Sequence, residues 1–169
     1  NPELAIQALL ARGYPVFALT EPLEPPALSR FLDERRSAAG HRFRAATYAA
    51  LKEAMRTLRA GSNIALMFDR DIRGRSITID LCGAPAQVPV GAVEFALRTG
   101  APIVPVFIHR RVDQRFDVWI EPALHVGNAG DREARVRETV RELFRRFEAH
   151  LRCDPGQWMV LERIWDAPG

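Results

Sequence analysis

Two apolar segments, each followed at once by charged residues, constrain the fold of this chain more than any other feature. Residues 63–68 are followed by Asp69-Arg70-Asp71, and residues 103–108 are followed by His109-Arg110-Arg111. Short apolar runs of this kind are typical of strands buried on both faces. In open α/β sheets, ligands bind outside the carboxyl ends of the strands. The two charged segments therefore mark a candidate binding site.

Strand and helix patterns alternate along the rest of the chain. Apolar spacing, capping residues and glycines predict helices near residues 1–12, 27–38, 47–59, 90–98 and 131–152. Strands are predicted at 14–19, 63–68, 76–81, 103–108 and 116–120, while 41–45 fits either a short strand or an extended loop. This order predicts an α/β fold with a largely parallel central sheet flanked by helices. The length of 169 residues predicts a single domain, residues 1–169.

Arginine supplies nearly all of the positive charge, since Lys52 is the only lysine among 24 basic residues and the net charge is +3. A guanidinium grips phosphate or carboxylate through two bonds, although a GC-rich genome also raises the arginine content. Placement is therefore more informative than the total. Five arginines lie near the two strand ends: Arg70, Arg73, Arg75, Arg110 and Arg111. They either bind phosphate, on a lipid head group or an acyl donor, or are ordinary surface charges.

The carboxylates of Asp69 and Asp71 are two positions apart. Side chains with this spacing on an extended chain point the same way, so both are expected to enter one cleft. Two close carboxylates bind a cation, or act as the acid and base of a glycosidase, but nothing else in the sequence supports sugar hydrolysis. The alternative is a solvated loop in which an aspartate pairs with an arginine.

Metal and nucleotide signatures are missing from the sequence. Cys82 and Cys153 lack metal-ligand spacing, and a reduced compartment is the default for two isolated cysteines. The histidines are scattered without metal or triad spacing, and only one of them lies at a strand end: His41, His109, His125 and His150. Neither Gly-x-Gly-x-x-Gly nor a P-loop is present. We predict no metal site and no redox cofactor.

Four motifs follow one another in a defined order. They are Asp-x-Asp after a strand (Asp69, Asp71), the turn Cys82-Gly83-Ala84-Pro85-Ala86, the run Thr99–Pro105, and a closing Pro155-Gly156-Gln157-Trp158 followed by Trp165. Their order and spacing resemble the late acyltransferases of lipid A biosynthesis, a branch of the lysophospholipid acyltransferase superfamily. The resemblance covers nearly the whole chain. That family often has a histidine four residues after its Gln-Trp, where this chain has Glu162.

The resemblance also implies a catalytic residue. Asn1-Pro2-Glu3 is similar to the last three positions of the His-x-Gly-Asn-x-Glu motif, which places the histidine before residue 1 and predicts that the chain is N-terminally incomplete. In such a pair the histidine accepts a hydroxyl proton, and the carboxylate, here Glu3, orients the imidazole. On the residues alone, the favoured interpretation is that Glu3 complements a helix dipole, and the resemblance is what favours the catalytic role.

The implied activity is acyl transfer from acyl carrier protein or coenzyme A to a hydroxyl of a glycolipid or phospholipid-like acceptor. No cofactor besides the donor substrate is implied. Substrate binding is assigned to Arg36, Asp69, Asp71, Arg73, Arg110 and Arg111, and Glu3, Asp69 and Arg110 are expected to share one cleft. Two alternatives are a non-catalytic lipid-binding domain of the same fold and a nucleotide-binding α/β domain.

The expected location is the cytoplasmic face of the bacterial inner membrane. The protein would be peripheral there, or anchored through a segment absent from this chain, with no nucleic acid partner. No apolar run is long enough to cross a bilayer. The 131–152 helix carries Arg137, Arg141 and Arg145 beside its apolar stripe. We expect this stripe to pack on the sheet rather than to lie at a membrane surface.

Overall fold

The computed structural model describes residues 2–21, 23–38, 42–69, 75–128, 130–160 and 163–165. The helices are α1 (Pro2–Ala11), α2 (Pro26–Ala38), α3 (Tyr48–Arg59), α4 (Gly91–Thr99) and α5 (Arg132–Cys153), followed by a 3-10 turn at Pro155–Gln157. The strands are β1 (Val16–Thr20), β2 (Arg42–Ala45), β3 (Asn63–Leu66), β4 (Ser76–Leu81), β5 (Ala84–Pro89), β6 (Val106–Arg110) and β7 (Phe116–Ile120). This mixture confirms the α/β prediction.

The chain divides into two compact units, unit 1 (Asn1–Met67) and unit 2 (Phe68–Gly169), each with its own hydrophobic core. The single-domain assignment stays a prediction. Asn1 of the predicted first helix, Gly40 after the predicted second helix, and His41 of the 41–45 segment lie outside the described ranges.

Unit 1 is built on a parallel sheet of three strands in the order β2-β1-β3. β1 lies in the centre, and its residues 16–19 are buried, as the apolar sequence predicts for a strand covered on both faces. Ile6 of α1 and Phe43 of β2 complete the core. In the 41–45 segment, which fitted either a strand or a loop, residues 42–45 form the strand β2. Parallel pairing is confirmed for these three strands.

Helix α3 begins where the sequence predicts. The Thr47 side chain accepts a hydrogen bond from the Ala50 N–H at 3.2 Å, which satisfies one of the free donors of the first turn. The residues of α3 that are fully buried are the small Ala50 and Ala54, because the helix packs closely on β1 and β3.

The strands of unit 2 form two antiparallel pairs, β4–β5 and β6–β7. The β4–β5 turn has positive φ angles at Cys82 (58°) and Gly83 (88°), as a two-residue type I′ hairpin requires. Strand β5 has no counterpart in the sequence prediction. Buried and exposed residues alternate along it, with Ala86 and Val88 buried, but its prolines are unfavourable in strands and hid this pattern. Antiparallel pairing thus replaces the expected parallel pairing here.

Helix α5 holds the core of unit 2 together. Asp131 caps it through two backbone N–H groups, and its predicted apolar stripe is buried throughout: Val136, Val140, Leu143, Phe144, Phe147 and Leu151. Phe68 packs edge-on against Phe107, Phe144 and Phe147 with centroids 5.6–6.2 Å apart. The predictions for the bounds and the stripe of α5 are confirmed. Gly100 ends α4 in the left-handed region, also as predicted.

Candidate functional site

Glu3 and Arg36, two predicted site residues, form an ion pair within unit 1. Arg36 donates through Nε at 3.0 Å and through Nη2 at 2.5 Å, and both bonds end on Oε1 of Glu3. The other carboxylate oxygen, Oε2, is not used by this pair. Glu3 lies in the first turn of α1, where a negative charge is favoured.

Arg36 itself is tightly held. Its guanidinium lies 4.3 Å from the centroid of the Phe43 ring, its Nη1 is 3.6 Å from Asp33 Oδ1, and only 12% of its side chain is exposed. A cation in this setting has a fixed orientation. Its contacts therefore make Arg36 a group that positions Glu3. The predicted contact of Arg36 with a substrate stays a prediction.

Asp69 lies at the carboxyl end of the first apolar segment, directly after Phe68. The Phe68 ring is part of the aromatic core of unit 2, so the backbone at this point is anchored. The carboxylate of Asp69 accepts a hydrogen bond from Trp158 Nε1 at 3.1 Å, and both residues are half-buried. A carboxylate accepts through both oxygens, so Oδ1 remains able to accept while Oδ2 is held.

Arg110 lies at the end of β6 and is held by the residue before Trp158. The Gln157 side chain accepts from the Arg110 N–H at 2.6 Å and donates to the Arg110 carbonyl at 2.9 Å, as a neighbouring strand would. The Arg110 guanidinium is exposed and donates to Gln114. In the sequence, Gln157 and Trp158 are only part of a motif. In the structure they contact two candidate binding residues, Arg110 and Asp69.

The remaining strand-end arginines have partners of their own. Arg111 lies 3.4 Å from Asp113 and 3.8 Å from Asp117, with 53% of its side chain exposed. Arg75 pairs with Glu94 and Glu133 at 3.3 and 3.0 Å, on the surface of unit 2. These exposed pairs contribute little to stability and leave donors free for a ligand.

Three of the predicted residues, Arg70, Asp71 and Arg73, lie outside the described ranges. Glu3 belongs to unit 1, and Asp69 and Arg110 belong to unit 2. The prediction of one cleft shared by these residues therefore stays a prediction.

Sequence analysis missed one group of titratable side chains in unit 2. His109 Nε2 lies 3.0 Å from His150 Nδ1, and His150 Nε2 lies 3.0 Å from Glu121 Oε1. The His150 ring stacks on Phe107 with centroids 4.0 Å apart. We call these three residues the histidine array. Cross-strand register and helix packing create it, because β6, α5 and the residue after β7 each supply one member.

The histidine array has a direction. A carboxylate only accepts hydrogen bonds, so Glu121 requires an N–H on His150 Nε2. Neutral His150 then has a lone pair on Nδ1, which accepts from an N–H on His109 Nε2. With both rings neutral, the lone pair of His109 is therefore on Nδ1. The array can pass a proton from this atom toward Glu121 without a change of geometry.

Other electrostatic features lie on surfaces. The pKa of Glu142 on α5 is lowered to about 2, first by the hydrogen bond from Arg145 and then by that from Arg146. Burial raises the pKa of the Cys82 thiol. Within the described ranges, no group of three or more His, Cys, Asp or Glu side chains has the geometry to hold a metal ion. None of the helices in that part of the chain is long and apolar enough to cross a membrane.

Comparison with known proteins gives consistent matches. A family model described as "Bacterial lipid A biosynthesis acyltransferase" matches residues 2–167. A phosphatidylinositol mannoside acyltransferase of Mycobacterium tuberculosis is 28% identical over 175 residues, covering 98% of this chain and 51% of that protein. A phosphatidylinositol mannoside acyltransferase of Mycolicibacterium smegmatis is 27% identical over 165 residues, covering 94% and 51%. The chain thus spans about half the length of the curated relatives it matches.

Proposed function

The chain belongs to the bacterial lipid A biosynthesis acyltransferase family, and we propose that it transfers a fatty acyl group from a thioester donor to a hydroxyl of a glycolipid. The observation that carries this proposal is the family match, which extends over residues 2–167. In the reaction the hydroxyl oxygen attacks the thioester carbonyl, a C–O bond forms, the C–S bond breaks, and the hydroxyl proton passes through a base to the leaving sulfur.

Glu3 is proposed to orient that base. Both bonds from Arg36 end on Oε1, so Oε2 is able to accept from the N–H of an imidazole. A carboxylate in this role fixes the tautomer of the imidazole and stabilises the imidazolium that forms in the transition state. Arg36 contributes by holding the carboxylate in one orientation. Orientation by a side chain that is itself held is the usual arrangement in active sites.

Substrate binding is proposed for the charged residues at the strand ends. The Asp69 carboxylate suits a sugar hydroxyl, and the exposed guanidiniums of Arg110 and Arg111 suit a phosphate. Asp71 and Arg73 are assigned the same role on their sequence positions. The relatives named as phosphatidylinositol mannoside acyltransferases favour an acceptor that combines sugar hydroxyls with a phosphate. The donor is an acyl chain on coenzyme A or on acyl carrier protein.

The proposed location follows from this chemistry. Glycolipid acceptors reside in a membrane, so the protein would work at the cytoplasmic face of the inner membrane. The arginines at the strand ends would face acidic head groups there, where each basic residue near the surface contributes about 1 kcal/mol of attraction.

The decisive experiment is an acyl-transfer assay with the complete gene product. Radiolabelled palmitoyl-coenzyme A and palmitoyl-acyl carrier protein are each supplied with a phosphatidylinositol mannoside or with a lipid A precursor in mixed micelles. We expect labelled acceptor with one donor at least, and a loss of labelling in Glu3→Gln. Arg110→Ala should raise KM more than it changes kcat, because a phosphate contact acts in the ground and transition states alike. Binding of an acceptor without transfer from any donor would instead indicate a non-catalytic lipid-binding protein.

A further inference from the structure

The turn that follows α5 contacts two candidate binding residues at once. Gln157 forms two hydrogen bonds with the Arg110 backbone, at 2.6 and 2.9 Å, and Trp158 forms one with the Asp69 carboxylate at 3.1 Å. Gln157 and Trp158 are consecutive, so their Cα atoms are only about 3.8 Å apart. Asp69 and Arg110 are 41 positions apart in sequence, and this dipeptide joins them.

The dipeptide is itself anchored in the core of unit 2. The Trp158 ring packs edge-on against Phe147 and Trp165, with centroids 5.0 and 5.8 Å apart. Gln157 also donates to the carboxylate of Asp154, the residue that ends α5. Because α5 is buried along its apolar stripe, the position of the dipeptide follows from the packing of the core.

Each hydrogen bond of the dipeptide restricts a residue that would otherwise be free to move. Arg110 is the last residue of β6, where pairing ends and strands fray. Asp69 follows a strand, and a carboxylate at such a position rotates about χ1 unless something holds it. An N–H donor to one carboxylate oxygen fixes that rotation and leaves the other oxygen to accept from a hydroxyl ligand.

We propose that Gln157 and Trp158 are positioning residues that hold Asp69 and Arg110 as one binding surface for the acceptor. The proposal rests on the proposed function, since the surface has a role only if an acceptor binds to it. Neither Gln157 nor Trp158 needs to touch the substrate. Their effect is to set the distance between a carboxylate and a guanidinium before the ligand arrives, which lowers the entropy that binding must remove.

The test is Trp158→Phe in the complete gene product, with Trp165→Phe as the matched control. Phenylalanine keeps an aromatic ring in the cluster but removes the N–H donor. Trp165 belongs to the same cluster and also loses one hydrogen bond, to the Leu81 carbonyl at 2.9 Å, but that bond holds no candidate binding residue. We expect the two variants to lose similar thermal stability. Only Trp158→Phe should raise KM for the acceptor, by about tenfold, the value of one charge-assisted hydrogen bond. Equal KM values in the two variants would overturn the proposal.

A double-mutant cycle identifies the residue through which Trp158 acts. In an Asp69→Ala background, Trp158→Phe should raise KM no further, because the group that it positions is already gone. Additive effects of the two substitutions would show that Trp158 does not act through Asp69, which would overturn the proposed role of Trp158. Gln157→Ala should raise KM by a similar factor and should remain additive with Asp69→Ala, since it acts through Arg110.

An assay without turnover separates this proposal from the proposed function. In hydrogen exchange of the indole N–H groups followed by NMR, Asp69→Ala should speed exchange at Trp158 and leave that at Trp165 unchanged. Faster exchange at Trp158 would show that its hydrogen bond to Asp69 exists in solution. The KM values would then show whether this bond positions Asp69 for the acceptor. If the wild-type protein transfers no acyl group from any donor, the proposed function fails and the role in acceptor binding fails with it. Transfer that Trp158→Phe leaves unaffected would overturn only the positioning role.

Discussion

Glu3 in unit 1 and Glu121 in unit 2 are both half-buried carboxylates whose partners lie distant in sequence, yet their partners differ in kind. Glu3 is held by Arg36 at 3.0 and 2.5 Å, and an arginine side chain stays protonated at every pH of interest. Glu121 is held by His150 at 3.0 Å, and His150 contacts His109 at the same distance. A neutral imidazole, unlike a guanidinium, has one ring nitrogen that donates and one that accepts.

The comparison shows how the partner decides what a carboxylate can do. A carboxylate beside a permanent cation has a fixed charge and a fixed orientation, which suits a residue that orients a base. A carboxylate beside an imidazole only accepts hydrogen bonds, so it selects the tautomer of the ring that donates to it. Two further charged groups lie near the histidine array: Asp117 on β7 is paired with His109 in the strand register, and Arg145 on α5 interacts with Glu121 through its charge.

The largest expected effect is that of Glu3→Gln. The substitution keeps the shape and a hydrogen-bonding group but removes the charge that stabilises imidazolium in the transition state. We therefore expect kcat to fall, by up to about 10²- to 10⁴-fold, with a smaller change in KM. Steady-state kinetics of the complete gene product measure this loss. Glu53→Gln serves as a control, since Glu53 is exposed to a similar extent and also pairs with an arginine of unit 1, Arg42, at 2.9 Å, but lies outside the motif that implies a catalytic role.

An unchanged kcat/KM in folded Glu3→Gln would mean that Glu3 only complements the helix dipole. The pair of Glu3 and Arg36 would then be a structural ion pair without a role in catalysis.

The second-largest effect is expected for Arg36→Lys, which keeps the positive charge but removes the planar guanidinium with its two parallel N–H donors. An ammonium cannot reproduce two bonds to Oε1 and loses the planar stacking on Phe43. We expect kcat to fall by about tenfold, equivalent to a barrier increase of about 1.4 kcal/mol. A rise in acceptor KM with kcat unchanged would instead support the predicted contact between Arg36 and substrate.

Helices α5 and α3 show how far an apolar face predicted from the sequence agrees with burial in the structure. The stripe of α5 is regular over about four turns, and the sequence prediction of its bounds and burial is confirmed. In α3 the apolar side chains also share one face by spacing, yet Tyr48 is 75% and Leu51 is 39% exposed, while Ala50 and Ala54 are buried. Periodicity identifies an apolar face, but it does not tell which small residues permit the closest approach to a sheet.

The site divides in the same way. Asp69 and Arg110 could be selected from the sequence, because charge at the end of an apolar segment is a local pattern, although the strands β3 and β6 are less buried than the apolar sequence predicts. The histidine array could not, because His109 and His150 are 41 positions apart and are joined only by the packing of α5 on β6. The only local signal was that His109 lies at a strand end. The antiparallel pairing of β4 with β5 was hidden for a related reason, since Pro85 and Pro89 disfavour a strand assignment.

A third effect tests the histidine array directly. Glu121→Gln keeps an acceptor oxygen for His150 but removes the negative charge that orders the rings. We expect a loss of unfolding free energy of about 1 kcal/mol and a mixture of tautomers in place of the Nε2–H form. Urea unfolding measures the first, and ¹⁵N NMR of the imidazole nitrogens measures the second. Exposed His125 provides an internal reference whose signals should not move. Unaltered tautomers of His150 in Glu121→Gln would contradict the assigned direction of the array.

The smallest effect concerns Glu142, which, like Glu3, accepts hydrogen bonds from arginine but lies on the surface of α5. Arg145 and Arg146 donate to its carboxylate at 2.7–2.8 Å and lower its pKa to about 2. A carboxylate whose pKa is lowered on folding stabilises the protein above its unfolded-state value of about 4.3, and this contribution is lost as the pH falls toward 2. Glu142→Gln should therefore lower the unfolding free energy at pH 7 by less than about 1 kcal/mol, because exposed ion pairs are screened. The difference from wild type should vanish near pH 2, as urea unfolding at the two pH values would show, and activity should not change. A change in kcat of the size expected for Glu3→Gln would mean that arginine pairing of a carboxylate is a general requirement of the fold, and the contrast between Glu3 and Glu121 would then have no bearing on catalysis.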